Sequence, residues 1–203
     1  SGHSHYINGP AGLDHLHRLR SVVDAVVVGA GTVRTDNPQL TVRRVAGPNP
    51  VRVVIDPRGT LSRDARAFAA DGVRRIVITA EQGSSQTAGD DVETIALPAP
   101  EAHIDPAEIL AALSARGLRR VLIEGGAQTV SRFLAAACLD RLHVVVAPVI
   151  LGSGLPGLTL PPIARMTEAL RVPIHAHRLN DEVLFDCDLS AQLPCVGQAN
   201  KST

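Results

Sequence analysis

Val121-Leu-Ile-Glu-Gly-Gly-Ala-Gln-Thr-Val-Ser131 decides the reading of this chain. Three β-branched or aliphatic residues make a strand too apolar for one exposed face. A carboxylate and two glycines then turn the chain into a helix that starts near Gly126. An apolar run of this kind fits a strand buried on both sides of a parallel sheet. Other runs repeat it: Val26-Val27-Val28, Val51–Ile55, Arg75-Ile76-Val77-Ile78 and residues 142–147. Between them, residues 10–22, 106–116 and 126–137 read as helices. Pro10 and Pro106 suit first-turn positions, with Asn8 and Asp105 as capping residues just upstream. Alternating strands and helices predict an α/β fold. Residues 170–179 and 182–189, separated by Asn180-Asp181, read as a hairpin that adds an antiparallel edge. The stretch 83–91 reads as a surface loop and residues 192–203 as a frayed tail. One domain over residues 1–190, followed by a loosely packed tail at 191–203, is expected.

Composition narrows the function classes. The 203 residues carry 20 basic and 20 acidic side chains. Balanced charge removes the footprint of a general nucleic-acid binder. Only Lys201 among the cations is a lysine, which excludes a Schiff-base lysine in the folded part. With no Trp, one Tyr and three Phe, the chain offers no stacking platform for single-stranded nucleic acid. The longest apolar stretches, near residues 22–28 and 144–151, fall far short of the roughly 20 residues of a membrane span. No secretory leader is legible, so a soluble cytoplasmic protein is expected. Cys138, Cys187 and Cys195 form neither a disulfide framework nor a zinc motif.

Two segments carry chemistry. In the strand-turn-helix quoted above, a helix N-terminus offers unpaired N–H groups suited to a pyrophosphate. Glu124 stands where a substrate hydroxyl or ring N–H could donate to it. A tight turn with Glu124 merely capping is the alternative. The second segment, Val28-Gly-Ala-Gly-Thr-Val-Arg-Thr-Asp-Asn-Pro-Gln-Leu-Thr-Val-Arg43, places Thr32, Asp36 and Arg43 after a glycine-rich strand end. It is no dinucleotide fingerprint, because Arg34 stands where the third glycine belongs. A solvated glycine turn remains open for it. Arg20, late in its helix, also suits the helix dipole. His175 and His177 share a strand face without a legible carboxylate partner, and His15 and His17 cannot face one ligand. No metal site is expected.

In order, SGHSHYINGPAG, HRLR, VGAGTVRTDNPQLTVR, RVVIDPRGTL, VLIEGGAQTVSRFL and APVILGSG resemble the pyrimidine reductase of riboflavin biosynthesis. That enzyme is the C-terminal half of a bifunctional deaminase/reductase, and its fold is related to dihydrofolate reductase. The resemblance covers roughly residues 1–189. It implies a three-layer α/β/α fold with a mostly parallel central sheet and a C-terminal antiparallel hairpin. It further implies hydride transfer from NADPH to C1′ of a phosphoribosylamino-pyrimidine, opening the ribose to a ribityl chain. Ser4, Arg20, Leu40, Arg43 and Glu124 then match substrate positions. Tyr6, Thr32, Asp36, Gly125, Gly126, Ala127, Gln128, Thr129, Val130, Ser131 and Arg132 match cofactor positions. Arg43 and Arg20 fit a phosphate clamp, since the guanidinium fork matches phosphate oxygens. Asp36 and Glu124 are the expected catalytic carboxylates, and Arg58 is the candidate reader of the cofactor's 2′-phosphate. Two departures stand out: Tyr6 where relatives carry Trp, and a first strand with a Ser-Leu-Asp-Gly-like loop expected ahead of Ser1. Zinc-dependent deamination is excluded by the lack of His-x-Glu with Pro-Cys-x-x-Cys. A homodimer is implied, paired through exposed strand edges. A pterin reductase of the same fold and a non-catalytic NADP-binding module are the alternatives.

Overall fold

Valines set the centre of the molecule. In the computed structural model, which describes residues 7–83, 91–100 and 103–192, Val26, Val27 and Val28 are fully buried in β1 (Ala25–Gly29). β1 pairs in parallel with β2 (Val51–Ile55) on one side and β5 (Val121–Ile123) on the other. β3 (Arg75–Ala80) and β4 (Glu93–Leu97) extend the sheet beyond β2, giving the order β4-β3-β2-β1-β5. Alternate residues feed two cores. Ala25, Val27, Val53 and Ile76 face Ile109, Leu113 and Phe133 of α3 (Pro106–Ser114) and α4 (Ala127–Ala135). Val26, Val28, Val54 and Val77 face Val33 of α2 (Ala30–Asp36), Leu40, Leu61 and Phe68. Both faces of the parallel sheet are covered, which is the three-layer arrangement the apolar strands require.

The hairpin belongs to a second sheet. β6 (Arg141–Val146), β7 (Ile174–Leu179) and β8 (Glu182–Asp188) form an antiparallel unit in the order β6-β8-β7. Residues 142–147, read as one of the parallel strands, therefore lie in the antiparallel layer. Two elements escape the periodicity reading: β4, whose polar Glu93 and Thr94 break the apolar run, and the seven-residue α2, hidden by its glycines.

α1 (Pro10–Val22) begins where Pro10 predicts, but its cap differs. Asp105 caps α3 by accepting from Ala107 N–H at 2.9 Å, as expected. Asn8 does not cap α1. Glu182 of β8 accepts instead from Gly9 N–H (2.9 Å), Gly12 N–H (2.8 Å) and the Asn8 amide (3.1 Å). A buried carboxylate from the second sheet thus takes the orphan donors of the helix start. Ser4, Tyr6, most of the 83–91 loop and the tail beyond Gln192 lie outside the described residues. No helix among the described residues is long and apolar enough to cross a membrane.

Candidate active site

The sheet reverses direction of growth at β1. The chain leaves β1 through α2 toward β2 on one side, while β5 and α4 lie on the other. Such a switch point opens a crevice at the carboxyl ends of the strands. Glu124 N–H donates to Val27 O at 2.8 Å, so the end of β5 lies against the end of β1.

Two close approaches shape the crevice. Thr32 of α2 reaches across to the β5–α4 turn, where its Oγ1 accepts from Gly126 N–H at 2.9 Å. Gly125 there has φ +99°, and a Cβ on it would stand 3.0 Å from Thr32. Reciprocally, Thr129 of α4 lies over Gly29, where a Cβ would stand 2.5 Å from its Oγ1. The two turns therefore interlock. Gly29, Ala30 and Gly31 form one wall of a cleft of about 150 Å³, and Gln128, Thr129 and Arg132 form the other. Ile55, Pro57, Pro106 and Ile109 supply its apolar lining. Gly126 at the N-cap of α4 has no side chain to accept from the first turn, where Thr129 N–H donates to Gly126 O at 3.0 Å.

Glu124 is held from behind. Arg20, in the last turn of α1 and only 5% exposed, grips both carboxylate oxygens, with its Nε 2.8 Å from Oε2 and its Nη2 on Oε1. Its Nη1 donates to Thr41 O at 2.9 Å. Three of its five N–H groups are engaged within the protein, which leaves two for any ligand. Arg43 is exposed, and its Nη1 reaches Gln39 and, at 3.3 Å, Thr41 Oγ1. Its backbone N–H donates to Nδ1 of the buried His17 at 3.0 Å, which places the His17 proton on Nε2. Burial and the charge of Arg20 lower the His17 pKa below its ordinary value.

The remaining predicted residues divide between surface and core. Asp36 is exposed on α2, four residues and one turn beyond Thr32 on the same helix face. Leu40 is 1% exposed with φ +58°, so its side chain fills the core and only its backbone can meet a ligand. Ser131 turns from the cleft: its buried Oγ accepts from Thr159 N–H at 2.7 Å, tying a distant loop to α4. Val130 and Ala127 complete the first turns of α4. Arg58 is exposed in the turn after β2, beside the cleft-lining Pro57. The apolar wall from Ile55, Pro106 and Ile109 carried no functional signal in the sequence, because such residues read only as core.

The histidines gather elsewhere. His15 Nε2 lies 3.0 Å from His143 Nδ1 with the rings stacked, and His143 Nε2 lies 3.3 Å from Asp186. Asp186 pairs in register with both His143 and His175, so a carboxylate does accompany the strand histidines. Register between strands cannot be read from spacing along one of them. Among the described residues no His, Cys, Asp and Glu cluster could hold a metal.

The family described as the RibD C-terminal domain matches residues 1–172. A 2,5-diamino-6-ribosylamino-4(3H)-pyrimidinone 5′-phosphate reductase of Aquifex aeolicus is 32% identical over 140 residues, 68% of this chain and 62% of that protein. The riboflavin biosynthesis protein RibD of Bacillus amyloliquefaciens is 33% identical over 161 residues, 76% of this chain and 43% of its own. Among solved structures, a deaminase/reductase from Thermotoga maritima matches with a TM-score of 0.71 and 32% identity, covering 86% of this chain and 47% of that one. Acinetobacter baumannii RibD matches with a TM-score of 0.77 and 27% identity, covering 93% and 52%. The chain thus spans about half the length of most of these relatives.

Proposed function

The chain belongs to the RibD C-terminal domain family, and from that premise we propose that it is an NADPH-dependent reductase of a 5′-phosphorylated ribosylamino-pyrimidine. The observation that carries this reading is the interlocked crevice, where Arg20-bound Glu124 lies beside the uncapped start of α4. When bound, the nicotinamide supplies the hydride that converts the ribose carbon C1′ to the ribityl form. The residues fit such a group. The start of α4 at Ala127 and Gln128 offers backbone N–H groups for the pyrophosphate, Gly31 leaves open space along the opposite wall, and the apolar lining suits a flat ring.

The chain's own residues hold and orient. Arg43, exposed on the approach to Arg20, would take the substrate phosphate through its planar fork. Glu124, fixed in one orientation by Arg20, would accept a hydrogen bond from the substrate as the sugar ring opens. Asp36, one helical turn from Thr32, would orient substrate or move a proton at the same stage. Ser4 and Tyr6 would act from the segment ahead of α1, and Arg58 is the proposed reader of the 2′-phosphate. Reaction depends mainly on near-attack placement of donor and acceptor carbons, which a rigid crevice supplies. The reading includes a homodimer.

The test is loss of absorbance at about 340 nm with NADPH and freshly made phosphoribosylamino-pyrimidine, in amino and oxo forms. Oxidation dependent on one form establishes the reaction and its substrate. Oxidation only with dihydrofolate replaces the substrate, and none with any of the three rejects the reductase. Arg43→Ala should raise KM for the phosphorylated substrate by about 10- to 100-fold, the worth of a charged hydrogen bond of about 1.5–3 kcal/mol. An unchanged KM would remove the phosphate role.

A further inference from the structure

The buried face of α1 is polar: its buried residues are Gly12, His17 and Arg20, none of them aliphatic. His17 and Arg20 lie three apart on one side of the helix, 4% and 5% exposed. Both serve one stretch of backbone. Arg20 Nη1 donates to Thr41 O at 2.9 Å, and His17 Nδ1 accepts from Arg43 N–H at 3.0 Å. Residues 41–43 lie outside helix and strand, so no ladder fixes them. The chain reaches them through two left-handed residues, Asn37 (φ +41°) and Leu40 (φ +58°), the second sunk in the core. Val42 N–H then donates to Asn49 Oδ1 at 2.6 Å. Side chains therefore set the path of the backbone that carries Arg43.

We propose that His17 is a positioning residue for phosphate recognition: its neutral imidazole holds the Arg43 backbone and so aims the Arg43 guanidinium at the substrate's 5′-phosphate. The proposal deepens the functional reading and rests on it for the role of Arg43. The side-chain contacts of Arg43, to Gln39 and Thr41, come from its own segment and move with it. Arg44 ties the segment to Asp14 of α1 at 2.6 Å, but that pair is exposed and correspondingly weak. His17 is the buried tie, made at Arg43 itself.

The tie depends on protonation. With its proton on Nε2, the ring accepts at Nδ1; a second proton makes Nδ1 a donor opposed to the Arg43 N–H. Arg20 of α1, Arg43 and Arg44 of the loop after α2 and Glu124 after β5 are the charges around the ring. Burial and the three guanidinium groups favour the neutral ring, against an opposite pull from Glu124. The acceptor is thus present at neutral pH and is lost as pH falls through a value below 6.5.

The test compares wild type, His17→Phe, His17→Asn and Arg43→Ala. KM and kcat are read with phosphoribosylamino-pyrimidine, and Kd for ribose 5-phosphate is read by calorimetry, without turnover. Phe fills the site with no acceptor, whereas the Asn carbonyl oxygen replaces Nδ1. His17→Phe should raise KM and Kd by about 3- to 10-fold, the worth of one hydrogen bond, and leave kcat within about two-fold. His17→Asn should return both close to wild type. On an Arg43→Ala background His17→Phe should add nothing, because it acts through Arg43. Between about pH 7.5 and 5.5 the wild-type KM should rise more than that of His17→Asn, any shared rise coming from the phosphate itself, whose second pKa is about 6. If His17→Phe does not fold, this pH comparison decides alone. Unchanged KM and Kd in His17→Phe, an additive effect on Arg43→Ala, or equal acid responses overturn the proposal. An inactive enzyme whose Kd for ribose 5-phosphate still follows His17 rejects the reductase reading and supports this one. Arg43→Ala without effect on KM or Kd removes the phosphate role and this proposal together, as does a wild type that neither turns over nor binds.

Discussion

At Gly29 the space a side chain would fill is held by Thr129, a hundred residues further along the chain. A methyl group there needs Thr129 to rotate out of a packed turn. Gly29→Ala is therefore expected to destabilise by about 1–3 kcal/mol, the usual range for overpacking. For a chain of this size that lowers Tm by roughly 2–4 °C per kcal/mol. Thr129→Ala in the same chain should recover most of the loss, and a thermal melt of the three variants decides it. The glycine turn was legible in the sequence, and so were Glu124, Thr32 and Arg43 as polar groups near strand ends. What Gly29 makes room for was not, because the neighbour comes from another βα unit. Arg20 shows the same limit: its charge was visible, but its buried grip on Glu124 depends on where α1 ends in space.

Among the elements, α1 owes little to an apolar stripe. Its buried residues are Gly12, His17 and Arg20, and its start rests on Glu182. Burial pushes the Glu182 carboxyl up, but the hydrogen bonds from Asn8, Gly9 and Gly12 outweigh it and leave the pKa below the usual carboxylate range. Its contribution is accordingly complete at neutral pH and lost as pH falls through that lowered value. Glu182→Ala should cost about 1.5–3 kcal/mol at pH 7, as expected for charge-assisted hydrogen bonds, and the cost should shrink in acid. A urea midpoint at the two pH values measures both. Pro10 made the start of α1 readable; its acceptor, more than 170 residues away, left no local mark. β4 and α2 were illegible for a different reason, since five and seven residues with polar or glycine interruptions give periodicity too little length to register.

At the scale of the whole molecule, α1 is a strut between two sheets that share no backbone ladder among the described strands. One end grips the parallel sheet through Arg20 and Glu124, the other the antiparallel sheet through Glu182, with His15 on His143 between them. Burial first, then the charges of His143, Arg18 and His177, hold the His15 pKa below 6.5, against a smaller opposite pull from Asp186. A histidine lowered in the folded state favours folding while neutral, so stability falls as pH drops through 6.5 and levels below the folded value. Wild type should lose more Tm than His15→Gln between about pH 8 and pH 5.5, and equal losses would remove His15 from the acid response. The alternation of strands and helices made the layers legible, whereas the division into two sheets depends on pairings that no single segment encodes. The crossed threonine–glycine contacts bind those layers in one more sense. Thr32 rests on the turn after β5 and Thr129 on the turn after β1, so neither βα unit can drift in sequence alone. For a lineage, the two turns form a single heritable character, and a recombinant that exchanged one without the other would inherit a lock cut for a different key.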